Sequence, residues 1–161
     1  MTGTRVTRSE TCLVIGIGNR FRGDDAVGLL VADRLVASPI PEVRVLRVEG
    51  GLLSLLDAWS GAECVVVIDA TRTGLAAGAV RRIDATHVPL PTCASTSTHG
   101  TGLAEVVELA KTVDRMPGRL VVYGIEAGRF DRGDELSEAC AQAIDAVVEA
   151  VRKEIACMNS V

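Results

Sequence analysis

This sequence predicts a single-domain α/β fold of three layers, with helices on both faces of a mostly parallel, doubly wound sheet. Three observations carry that prediction. Short apolar runs alternate with stretches of helical spacing along the chain, the order that successive strand–helix–strand units produce. Almost half of the residues are apolar (48%), yet only four are aromatic. The core is therefore Val, Leu, Ile and Ala, as suits a parallel sheet covered on both sides. The length, 161 residues, is that of one domain able to bury roughly 70% of its unfolded surface.

The elements follow in order. Residues 13–17 read as a first strand, apolar and ended by glycine. Residues 26–36 have helical spacing, with Val27, Leu30, Val31 and Leu35 on one face and Asp25 suited to the N-cap. A turn around Pro39 and Pro41 leads to a second strand at 43–48, whose alternation predicts a half-exposed element. Gly50 and Gly51 end it; 52–59 reads as a short helix and 64–68 as the clearest buried strand. Beyond Asp69 the pattern weakens to a further strand at 78–83 and a Pro/Ser/Thr-rich connection at 84–98. Helical spacing resumes at 101–113, a strand follows at 120–125, and a long helix at 136–155 closes the chain. The domain is expected to span 11–157, with a flexible tail at 1–10 and a short one at 158–161.

Composition excludes several classes of function. A formal net charge of −4 supplies no basic field for nucleic acid and no attraction to anionic lipid. No apolar run approaches the about 20 residues that span a bilayer, and the polar first ten residues lack the apolar core of a signal peptide. Five cysteines without a CxxC pair argue against a disulfide framework. Cys12 and Cys64 lie in apolar runs, where cysteine packs as a small hydrophobe. The expectation is a cytoplasmic protein.

Chemistry collects in loops. Ligands of open α/β sheets bind beyond the carboxyl ends of the strands, and three metal-competent groups fall there. Asp25 follows the first strand in the loop 16–28, Asp69 ends the strand 64–68, and His99 precedes a helix within Ser97-Thr-His-Gly-Thr-Gly102. Most glycine-rich loops after a first strand cradle phosphate; the adjacent carboxylates Asp24 and Asp25 would repel it. Two carboxylates and an imidazole suit a borderline divalent ion such as nickel or zinc. Each also has a structural reading: Asp25 as a helix cap, Asp69 as a turn residue, His99 as a surface group. His87, in the loose connection, reads as surface.

The ordered set Gly16-x-Gly-Asn19, Asp24-Asp25-x-x-Gly28, Val-Ile-Asp69-Ala and His99-Gly-x-Gly-Leu103-Ala resembles the hydrogenase maturation endopeptidases. That family removes a C-terminal extension from the large-subunit precursor of nickel–iron hydrogenases once nickel is inserted. The resemblance implies metal contacts at Asp25, Asp69 and His99, with nickel supplied by the precursor; a monomer is the simplest expectation for a domain that docks on a larger subunit. The catalytic candidates are Asp25, Asp69 and Asp24: either nickel activates water as a Lewis acid, or Asp24 or Asp25 is the general base. Which of Asp24 and Asp25 is the ligand and which the cap stays open. The chain departs from the family in having Asp25 where Glu is common, and Ala127 where Pro is common. An HExxH pair and a Gly-x-Ser-x-Gly elbow are both absent. Two other readings are a nickel-sensing assembly partner that does not cleave and a Rossmann-type nucleotide enzyme. Against the second, Phe21 takes the third glycine position, and Glu49 lies beyond the usual ribose-binding spacing of about 20 residues.

Overall fold

The computed structural model describes residues 12–91 and 102–160. The expected tail at 1–10, and with it Thr11, Cys93, His99 and Val161, lies outside the described residues. Among the described residues five strands form one sheet: β1 (Cys12–Ile17), β2 (Val43–Val48), β3 (Cys64–Thr71), β4 (Val80–Asp84) and β5 (Arg119–Glu126). Four helices accompany them: α1 (Val27–Ala37), α2 (Leu55–Trp59), α3 (Leu103–Thr112) and α4 (Glu138–Asn159). The strand order is β2-β1-β3-β5-β4. The first four of these are parallel, and β4 runs antiparallel along β5 at the edge.

Period-two alternation sorts the strand side chains between two cores. Cys12, Val14, Val66, Ile68, Val121, Tyr123 and Ile125 pack with α1 and α4. Leu13, Ile15, Ile17, Val65, Val67, Leu120 and Val122 pack with α2 and α3. Both faces of β1, β3 and β5 are thus covered, which is why these strands read as unbroken apolar runs. β2, at the other edge, is half-buried, as its alternation predicts. The exposed edge strand β4 carries Arg81 and Arg82, charges that discourage further strand pairing. Arg82 reaches back to Glu154 of α4, with Nε and NH2 donating at 2.7 and 2.8 Å.

Three boundaries differ from expectation. A 3-10 turn at Gly23–Ala26 precedes α1, whose N-cap is Ala26, with no side chain capping it. Asp25 is therefore not a helix cap. β3 continues to Thr71, so Asp69 lies inside the strand opposite Gly124; pairing with the long β5 extends it past the apolar run. α4 starts at Glu138, where the Ser137 hydroxyl accepts from the Cys140 N–H, and runs two residues into the segment expected as a C-terminal tail.

Candidate active site

The β1–α1 loop is built around backbone contacts that only glycine permits. A Cβ on Gly28 would collide with the carbonyl oxygens of Ile17 and Ile68, and one on Gly16 with the carbonyl of Gly28. The first turn of α1 therefore rests directly on the carboxyl ends of β1 and β3. Asn19 closes the loop as an Asx turn, its side-chain oxygen accepting from the Phe21 N–H at 2.9 Å. The Asn19 N–H donates to the Asp25 carbonyl at 3.0 Å.

Asp24 and Asp25 meet different surroundings. Asp24 is fully buried. Its Oδ2 accepts from the N–H groups of Gly128 and Arg129 at 2.7 and 2.9 Å and from the Ser137 hydroxyl at 2.9 Å; its Oδ1 accepts from the Ser137 N–H at 2.7 Å. Burial alone would raise this carboxyl. The Ser137, Gly128 and Arg129 N–H groups and the Ser137 hydroxyl outweigh it and hold the pKa below the usual aspartate value. Asp24 is a bolt between the β1–α1 loop and the segment that joins β5 to α4.

Asp25 is half-buried, and among the described residues nothing hydrogen-bonds its carboxylate. Burial raises its pKa, with the Arg22 charge acting in the other direction. The turn that carries it packs against β3, the strand that carries Asp69. Burial chiefly, and then the charge of Asp25, push Asp69 up to about 7, against a lowering by the Ala70 N–H. Two carboxylates from separate elements thus lie near enough at the carboxyl end of the sheet for the charge of Asp25 to raise the pKa of Asp69. They sit between β1 and β3, where the chain's path reverses, the usual ligand position in such sheets.

His99 lies outside the described residues. The helix it precedes, α3, belongs to the face of the sheet toward which alternation directs Asp69, and its N-terminal Leu103 is part of the same buried cluster as Ile15 and Ile17. Among the described residues no three metal-ligating side chains converge.

Two buried carboxylates, Glu126 and Asp24, brace the loops around this site. Glu126 ends β5 almost fully buried. It accepts from the Thr71 and Thr73 hydroxyls, both at 2.9 Å, and from the N–H groups of Thr73 and Gly74 at 2.7 and 2.9 Å. It clamps the loop that follows Asp69. Burial opposes ionisation there, but the Thr73, Thr71 and Gly74 donors prevail and lower its pKa. Asp24, read as a ligand or base, is the matching clamp on the other loop. The signal for both was faint: a carboxylate expected to be buried next to strand ends rich in N–H groups. Arg20, in the loop 16–28, pairs with Asp33 at 2.9 Å and lies 4.0 Å from Glu49. His87 is exposed, as expected.

Comparison with known proteins adds to this geometry. The profile of the hydrogenase maturation protease family (HycI) matches residues 31–154. The chain belongs to the hydrogenase maturation protease family. The match includes Asp69 and His99 and begins after Asp25. The chain is 31% identical over 151 residues to the hydrogenase expression/formation protein HupD of Rhodobacter capsulatus, covering 91% of this chain and 72% of that protein. It is 31% identical over 122 residues to HupD of Thiocapsa roseopersicina, covering 74% of this chain and 55% of that relative. The crystal structure of a NiFe hydrogenase maturation protease, HycI, from Thermococcus kodakarensis superposes with a TM-score of 0.71 at 28% identity, covering 91% and 93% of the two chains. This family member is a peptidase with the expected α/β fold, which takes the weight from the Rossmann-type and non-cleaving readings. No helix among the described residues is long and apolar enough to cross a membrane.

Proposed function

We propose that this chain, acting as a monomer, removes the C-terminal extension from a nickel–iron hydrogenase large-subunit precursor after nickel insertion. The precursor's nickel is read by Asp25, Asp69 and His99. The observation that carries this is the pairing of Asp25 and Asp69 across two elements at the carboxyl end of the sheet. Among the described residues nothing hydrogen-bonds the Asp25 carboxylate, which leaves its lone pairs for a ligand. Carboxylates with an imidazole are a suitable donor set for a borderline divalent ion. In this reading the metal is part of the substrate: its presence signals complete assembly and fixes the scissile bond beside the loop.

Asp24 is then a positioning residue. Its oxygens already accept four hydrogen bonds, and its lowered pKa makes it a poor base. The proton from the attacking water goes to Asp25 or Asp69; burial raises the pKa of both, that of Asp69 to about 7, so either is a better base than Asp24.

The test incubates the purified chain with nickel-loaded and nickel-free precursor and reads intact masses. Loss of one defined C-terminal peptide from the nickel-loaded form alone is the expected result. Cleavage of both forms would sink the nickel-recognition reading, and an intact loaded precursor would sink the processing reading. Asp25→Asn is expected to slow cleavage by about 10²-fold or more while still binding the precursor.

A further inference from the structure

We propose that Cys12 and Cys64 form a reversible redox site, a dithiol that a peroxide converts to a disulfide bridging β1 and β3. The two residues are direct register partners in the parallel pair, and both belong to the core between the sheet and α1 and α4. Neighbouring strands lie about 4.8 Å apart, within the about 4.4–6.8 Å Cα separation that a disulfide spans. The two Sγ atoms are 2.9 Å apart, so closing the bond to about 2.05 Å needs less than ~1 Å of movement. Cys64 Sγ also lies 2.7 Å from Met158 Sδ. Three sulfurs therefore gather at the amino end of the sheet, opposite the carboxylates.

The site is separate from the proposed catalytic chemistry. Of the other described cysteines, Cys140 is buried at the start of α4, with its Sγ 3.3 Å from the Glu126 carbonyl oxygen, and Cys157 is exposed. Neither has a thiol partner among the described residues.

The chemistry balances with hydrogen peroxide as oxidant. The hydrogen bond from Cys64 lowers the Cys12 pKa, while the same contact and then burial raise that of Cys64. With Cys12 as the attacking thiolate, Cys64 is the resolving thiol. Cys64 is 7% exposed and Cys12 only 1%, so access is narrow and favours a small peroxide. The Cys12 sulfur attacks one peroxide oxygen and the O–O bond breaks, leaving a sulfenic acid and, with one proton, water. The Cys64 sulfur then attacks the Cys12 sulfur. The S–S bond forms, the S–O bond breaks, and the departing hydroxide takes the Cys64 proton as a second water. Two thiols lose two electrons and two protons, and one peroxide is reduced to two waters. A dithiol reductant reverses the change.

The experiment treats the purified, fully reduced chain with hydrogen peroxide, denatures it in an alkylating agent and maps tryptic peptides without reduction. Peptides 9–20 and 48–72, which hold Cys12 and Cys64, should appear joined, two hydrogens lighter than their sum, and separate after dithiol treatment. Cys157→Ser should keep this cross-link. Cys64→Ser should abolish it and leave Cys12 as a sulfenic acid that dimedone traps. Recovery of both peptides alkylated from the folded wild type would overturn the proposal. So would oxidation confined to Met158 sulfoxide or to bridges through Cys157.

Discussion

Asp24 and Asp25 are adjacent in sequence and opposite in circumstance, and the difference is measurable. Asp24→Asn swaps one accepting oxygen for a donor amide among four donors. It should cost about 2–4 kcal/mol in urea unfolding at pH 7. The Asp24 pKa is lowered on folding, so its contribution is present above the unfolded value of about 3.9 and disappears as pH falls through the folded value. The wild-type-minus-variant difference should therefore shrink in acid. Asp69 behaves in the reverse sense. Its folded pKa, pushed up to about 7, lies above the unfolded one, so the native state holds the proton more tightly. Its stabilising effect, complete below about pH 3.9, is lost as pH rises to about 7. In the metal-free protein, Asp69→Asn should match the wild type's melting temperature at pH 4. At pH 8 it should exceed it by at least ~2–4 °C, the equivalent of 1 kcal/mol in a domain of this size. Equal melting temperatures at both pH values would remove Asp69 from the strained pair.

At the scale of elements, the site depends on how closely α1 approaches the strand ends. Gly28→Ala would thrust a methyl group at the carbonyls of Ile17 and Ile68, both backbone, so neither can rotate away. The expected cost is about 1–3 kcal/mol, read as a lower urea midpoint. Precursor cleavage should also fall, because the turn that carries Asp25 moves with α1. An unchanged midpoint would mean that the helix seats less tightly than the geometry requires. The glycines at 16, 18 and 28 were visible in the sequence, and so were the strands they terminate. The 3-10 turn was not. Helical periodicity cannot distinguish a tightened first turn from an ordinary one, so Asp25 read as a cap when the cap is Ala26. The reach of β3 past Asp69 was hidden for a related reason. Ala70 and Thr71 carry no strong strand pattern and are held by pairing with Ile125 and Glu126.

Over the whole molecule, two helical layers enclose the sheet, and neither layer is optional. α4 covers Val66, Val121, Tyr123 and Ile125 together with α1. A chain ending at residue 137 should lose its cooperative thermal transition by circular dichroism, since the exposed strand face leaves too little buried area to offset chain entropy. A sharp melt in that truncation would show that α1 and the sheet suffice. The fold class, the order of the elements, the strand ends where chemistry collects and the candidacy of Asp25, Asp69 and His99 are all legible in the chain before it folds. All of these are written in local apolar periodicity, glycine placement and motif order. Which carboxylates are clamps, and which has no hydrogen bond among the described residues, follows from the folded chain alone. The fold also sets Cys12 beside Cys64, 52 residues apart in the chain, and Glu126 against the loop after β3. Those assignments depend on which N–H group, sulfur or charge from a distant segment arrives at a given side chain, and no local pattern carries that information.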